Sequence, residues 1–156
     1  MPYEFKSKRK VSFKEIDGAG ITHFSNFFLW MELTEHDFFN FLKVPIINEY
    51  SNSYSGWVRK KTECTYRYPV YFEDNLIIHL VIIKLWKYSI DYGFIFKKKF
   101  NNKIQKVAIG LMSTVYVNKK KSNYLFTKIK LPDNLICQLK EAPQHLKDEI
   151  FHYKIK

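Results

Sequence analysis

The sequence predicts an α+β domain in which an antiparallel sheet wraps around one long central helix. Three observations predict it. From about residue 24 to residue 42, Phe24, Phe27, Phe28, Met31, Phe38 and Leu42 recur at helical spacing, and Trp30, Leu33, Phe39 and Phe41 widen the stripe. A helix this apolar must be covered on several sides. Four strand-like segments then follow between residues 57 and 117 with no second helix among them. That order buries the helix most readily if the sheet curls round it.

The elements follow in chain order. Residues 3–13 alternate weakly, and their second half, ending in Val11–Phe13, reads as a first strand. A turn containing Asp17, Gly18 and Gly20 leads to the long helix, with Thr22 and Ser25 as candidate caps and Pro45 as its break. Asn48 to Gly56 is polar and turn-forming, a loop. Trp57–Tyr68 is the most polar strand and ends at Pro69, which suits a place near a sheet edge. Asn75–Trp86 is apolar on both parities, the mark of a strand covered on both faces. Ser89–Phe100 alternates, Asn101, Asn102 and Lys103 make a hairpin turn, and Ile104–Val117 returns. After the basic turn Lys119–Asn123, Pro132 and Asp133 can cap a short helix over Asn134–Glu141. From Pro143 onward no single element is indicated.

At 156 residues the chain suits one core, so 1–156 is read as a single domain. Hydrophobic residues at 46% and aromatics at 18% exclude a disordered chain and place rings in the core or at an interface. The net charge of +11 is spread over the whole sequence and would attract phosphates. Lys, Asn, Ile, Phe and Tyr are all abundant, however, so the charge reflects general composition and carries little weight for nucleic acid as a partner. Cys64 and Cys137 stand far apart, as two reduced thiols rather than a zinc knuckle or a disulfide. The start M-P-Y-E-F-K-S-K-R-K lacks an apolar signal core and no run approaches a membrane span, so a cytoplasmic protein is expected. No metal is expected, since the adjacent side chains of Glu35, His36 and Asp37 point in different directions.

Asp17 is a carboxylate presented beside the start of a buried helix. Helix starts expose unpaired N–H groups with a partial positive charge, so they favour negative charge that develops nearby. That pairing can open a carbonyl, although an Asp before Gly also simply closes turns. Glu32 and His36, one helical turn apart, and Glu35 are a rival chemistry or a polar group fixing the helix in its sheet. His79, inside the doubly apolar strand, reads as a core or interface histidine.

The segment D-G-A-G-I-T-H-F-S-N-F-F-L-W-M-E, residues 17–32, resembles the signature of hotdog-fold acyl-CoA thioesterases of the 4-hydroxybenzoyl-CoA thioesterase type. There an Asp, a small-Gly pair, an apolar residue, aromatics and an Asn precede a helix bearing Trp and Glu. The resemblance implies a hotdog fold and hydrolysis of an acyl-CoA, with CoA entering only as part of the substrate and no other cofactor. Asp17 would attack the thioester carbonyl or activate water, the Phe24 backbone N–H would polarise the carbonyl, and Gly20 would let the backbone approach the ligand. His23 stands where an aromatic is usual, as an extra acid or base or as a ring at the pocket mouth; Ile16 stands where a small polar residue is common. The resemblance further implies a homodimer or dimer of dimers with CoA along a subunit interface. Asn26 belongs to the binding motif, Phe27 and Trp30 would meet the acyl group, and Lys87, Ser89, Lys120 and Lys121 match phosphate positions. Two alternatives remain: an acyl-thioester dehydratase or hydratase using His23 with Glu32 or Glu35, and a non-catalytic module binding an acyl carrier or nucleic acid.

Overall fold

The computed structural model describes the backbone of residues 1–155 and the side chains of 1–153, so residue 156 of the predicted domain lies outside the described residues. The elements are β1 (Glu4–Lys10), a 3-10 turn (Phe13–Glu15), α1 (Ser25–Leu42), β2 (Asn48–Glu49), β3 (Ser53–Tyr66), β4 (Asn75–Leu85), β5 (Ser89–Phe100), β6 (Lys103–Lys120), β7 (Phe126–Lys128), α2 (Asp133–Ile136) and α3 (Gln144–Ile155). One antiparallel sheet runs in the order β1-β4-β5-β6-β3-β2, with β7 also on β6. The curled antiparallel sheet and its long helix form the α+β hotdog arrangement that the sequence predicts.

The apolar stripe explains where α1 lies. Met31 and Phe38 are wholly buried against Ile78, Leu80, Ile82, Phe94 and Phe96 on the concave face of the sheet. Gly110 on β6 permits the close approach, since a Cβ there would collide with the Met31 sulfur. At the hairpin, Asn101 and Asn102 both take positive φ, 49° and 59°, as a tight β-turn of this hand requires.

Three expectations about elements are corrected. The first strand is Glu4–Lys10, paired from Glu4↔Val81 to Lys10↔Asn75, and not Val11–Phe13. Val11 is buried, but its N–H bonds the Asp74 carbonyl at 2.9 Å as the chain leaves the sheet. The true strand is polar because it is an edge, where charged side chains discourage further pairing. The loop expected over 48–56 contains β2 and the first residues of β3, closed by the Tyr50 N–H on the Ser53 carbonyl at 2.8 Å. The helix expected over 134–141 is a single turn, Asp133–Ile136, and the longer helix is α3.

Helix α3 accounts for the double burial of β4. Val81, Ile95 and Ile109 on the outer face form a second cluster with Ala142 and Ile150. Ile150 sits over Gly93, where a Cβ would clash with it. Ile150→Ala should therefore lower unfolding free energy by about 2–4 kcal/mol, read from the urea midpoint at unchanged slope. An unchanged midpoint would show that α3 does not hold this face.

Candidate active site

The site is built on the loop between β1 and α1. Glu15 is its hub: its carboxylate receives the Ser12 N–H at 2.8 Å and the Trp30 indole N–H at 3.0 Å. Its carbonyl receives the His23 N–H at 2.8 Å and the Asn26 side-chain amide at 3.1 Å. These bonds pin the loop to the first turn of α1.

Between Ile16 and Thr22, which form a β-bridge, Asp17 heads a tight turn. Its N–H bonds the Ile21 carbonyl at 2.9 Å, its carbonyl receives the Gly20 N–H at 3.0 Å, and Oδ1 receives the Ala19 N–H at 2.8 Å. Oδ2 has no donor among the described residues. Gly20 completes the turn at φ +80°, a conformation L side chains rarely adopt. Gly20→Ala should cost about 1–2 kcal/mol in urea unfolding through this backbone strain, since open space surrounds the site of the new Cβ.

The amino end of α1 lies beside this turn. His23 caps it: its Nδ1 receives the Ser25 N–H at 3.3 Å and lies 2.7 Å from the Ser25 hydroxyl, and its carbonyl receives the Asn26 N–H at 3.0 Å. Phe24, the last residue before the helix, leaves its N–H without an acceptor among the described residues. The opposite wall is the chain from Tyr66 to Val70. Tyr66 donates its hydroxyl to the Phe24 carbonyl at 3.2 Å and packs edge-on against Phe27, 5.0 Å between centroids. The Val70 carbonyl receives the Thr22 N–H at 2.7 Å. Between the walls is a cleft of about 390 Å³ lined by Asp17, Thr22, Phe24, Phe27, Tyr66 and Val70 among others. Burial pushes the Tyr66 phenol above its ordinary range and the Cys64 thiol up to about 12, so neither is ionised near neutrality.

Asp17, Phe24 and Phe27 thus share one cleft; Gly20, His23 and Asn26 do not line it, and act through the bonds that fix the Asp17 turn and the start of α1. Trp30 is 2% exposed, does not line the cleft, and serves as the donor that fixes Glu15. Lys87 and Ser89 line a separate cleft of about 490 Å³ with Lys60, Trp86 and Lys128. The Phe27 ring contacts Phe96, and from Phe96↔Ala108 to Ser89↔Val115 the ladder runs seven residues, roughly 23 Å. Lys120 pairs in register with Ser53, and Lys121 binds Glu49 at 2.7 Å. One chain therefore does not bring these four residues to Asp17. Nor does it bring His23 to Glu35, which lies ten residues into α1, roughly 15 Å from Ser25. Glu35 is 1% exposed and bonded to Arg59. Glu32 lies 3.5 Å from Arg59 and 3.9 Å from His36. His79 is buried, as the apolar strand around it implies, and contacts Glu4.

Glu15 and the Tyr66–Val70 wall were not evident from the sequence. Glu15 reads as one more surface charge, and the wall lies some fifty residues beyond Asp17. Among the described residues no helix is long and apolar enough to cross a membrane, and no three His, Cys, Asp or Glu side chains are grouped to hold a metal ion.

Residues 11–150 match the family described as the thioesterase-like superfamily. The fold is similar to that of 4-hydroxybenzoyl-CoA thioesterase from Pseudomonas sp. strain CBS-3, with TM-score 0.75, 15% identity, and coverage of 88% of this chain and 100% of that one. It is also similar to a 1,4-dihydroxy-2-naphthoyl-CoA thioesterase from Synechocystis, with TM-score 0.72, 15% identity, and coverage of 89% and 99%. A hypothetical protein from Aquifex aeolicus gives TM-score 0.70 and 22% identity, covering 87% of this chain and 99% of that one.

Proposed function

The chain belongs to the thioesterase-like superfamily, and from that premise we propose that it hydrolyses an acyl-CoA to the free acid and CoA. The observation that carries this is the convergence of Asp17 and the amino end of α1 on one ring-lined cleft. Asp17 acts as nucleophile or as general base. As nucleophile it bonds to the acyl carbon, the C–S bond breaks, CoA leaves as the thiolate, and water then hydrolyses the mixed anhydride. As base it takes a proton from the water whose oxygen bonds to the acyl carbon; the C–S bond then breaks and CoA leaves as the thiolate, with the proton kept on Asp17. In either case the carbonyl oxygen gains negative charge, and the Phe24 N–H, at a helix start and without an acceptor among the described residues, is the donor that would receive it. No metal or redox cofactor enters the scheme.

Phe27, Tyr66 and the other rings favour an apolar or aromatic acyl group, as the acyl groups in the names of the Pseudomonas and Synechocystis proteins do for those enzymes. Lys87, Ser89, Lys120 and Lys121 lie too far along the sheet to serve their own Asp17, so on this reading they hold CoA phosphates for a partner's site in a cytoplasmic homodimer or dimer of dimers. The edge of β3 beyond Ser55, unpaired among the described residues, suits such a partner. Thiol release measured across short, long and aromatic acyl-CoAs tests the reaction class and ranks the acyl groups together. A panel without turnover would exclude the reading.

A further inference from the structure

Of the consecutive lysines 97–99, Lys98 is buried. It is 5% exposed, and its Nζ donates at 2.8 Å to the Pro69 carbonyl and at 2.8 Å to Asp74 Oδ2. The ammonium also lies 5.0 Å from the centre of the Tyr71 ring. A charge so far from water persists only where an opposite charge and hydrogen bonds replace its hydration. Here the replacements are the two ends of one short segment, 69–74, directly continuous with the cleft wall.

The remaining bonds of that segment run to the site and to Val11 just past β1, which donates its N–H to the Asp74 carbonyl at 2.9 Å and accepts the Glu73 N–H at 3.1 Å. Val70 carries the Thr22 N–H on its carbonyl, and Tyr71 donates its N–H to the same Asp74 carboxylate at 2.8 Å. On the far side, the Arg67 and Tyr68 N–H groups share the Val107 carbonyl at 2.9 and 3.2 Å. Val107 is the extra residue of a bulge, between the pairs Phe96↔Ala108 and Lys97↔Lys106. The wall thus rests on β6 through backbone and on β5 through the Lys98 ammonium.

We propose that Lys98 is a positioning residue for the cleft: by bonding Pro69 and Asp74 together it holds the 66–70 wall against the Asp17 turn. Its effect on rate rests on the hydrolase reading above. A wall that drifts shifts Thr22 through Val70 and Phe24 through Tyr66, moving the carbonyl site relative to Asp17. Misplacement of this kind lowers turnover more than affinity.

Lys98→Met removes the ammonium at similar length, and Lys98→Arg restores a cation with several donors. In Lys98→Met, kcat on the best acyl-CoA should fall about tenfold or more while KM stays within about threefold. Amide exchange at Thr22 and Tyr71 should quicken about tenfold or more, with Ile78 and Phe94 in the central sheet unchanged. Lys98→Arg should recover most of both losses. A kcat within about twofold of the parent, or unaltered exchange at Thr22, would overturn the proposal. If Lys98→Met fails to fold, Asp74→Asn, which leaves an oxygen facing both Lys98 and Tyr71, should change the same two quantities about threefold, and no change would overturn the proposal equally. If the parent chain cleaves no acyl-CoA, the hydrolase reading falls, while the exchange data still decide whether Lys98 holds the wall.

Discussion

Asp17→Asn is expected to lower kcat by about two or more orders of magnitude with modest change in KM, a loss of about 3 kcal/mol or more of transition-state stabilisation. The substitution isolates the charge. Asparagine keeps an oxygen where Oδ1 receives the Ala19 N–H, so the turn, Gly20 and the bridge between Ile16 and Thr22 have no reason to move. What disappears is the carboxylate, and with it both a nucleophile and a base. Melting temperature and urea midpoint should stay close to the parent. Parent-level turnover in this variant would exclude Asp17 as the working group and leave the cleft to bind without chemistry. In a single turnover of the parent in ¹⁸O-water, label in the Asp17 carboxylate identifies a nucleophile whose anhydride is cleaved at the Asp carbonyl, whereas label only in the product acid is the result for a base and equally for an anhydride cleaved at the acyl carbon.

The chain announces one wall of this site and conceals the other. Asp17, Gly20 and Phe24 are contiguous with a strongly periodic helix, so turn chemistry and apolar spacing mark them together. Tyr66, Pro69 and Val70 become neighbours of Asp17 only because β3 and β4 close around α1, a relation no local pattern encodes. Lys98 is hidden for a related reason: in a run of three lysines each reads as solvated, and the middle one is buried because it continues the inward face of Phe94 and Phe96 while segment 69–74 returns over it. The strands show the same division. β4 and β5, buried in the centre, carry runs of Ile, Leu, Val and Phe that sequence pattern detects. β1 is an edge strand of charges and escapes it, while Val11, buried by packing alone, mimics a strand. Helix α3 touches the sheet mainly through Leu146, Ile150 and Tyr153, too sparse a stripe to mark a helix in advance.

The second large effect lies in the middle of α1, where Glu35 is held almost completely out of water. Burial raises its carboxyl to about 7 from an ordinary 4.5, against the opposing pull of the Arg59 guanidinium. Only Oε2 is bonded to Arg59; among the described residues, Oε1 and the nearby Tyr92 hydroxyl have no partner. Because the folded-state value lies above the unfolded one, the folded protein binds more protons between pH 4.5 and 7. The contribution of Glu35 to stability is therefore fully present below pH 4.5 and declines as pH rises through 7. Removing the cation enlarges this decline. Arg59→Met leaves a buried carboxylate unpaired at high pH, a loss of about 3–5 kcal/mol at pH 8, whereas near pH 5 protonation of Glu35 relieves most of it. Urea unfolding at pH 5 and pH 8 should show Arg59→Met falling well below the parent only at the higher value. Adding Glu35→Gln should erase that difference, because no ionisable group then remains at the position. A pH-independent deficit in Arg59→Met, or one that survives Glu35→Gln, would mean that Arg59 stabilises the fold by packing of its stem and not by its charge.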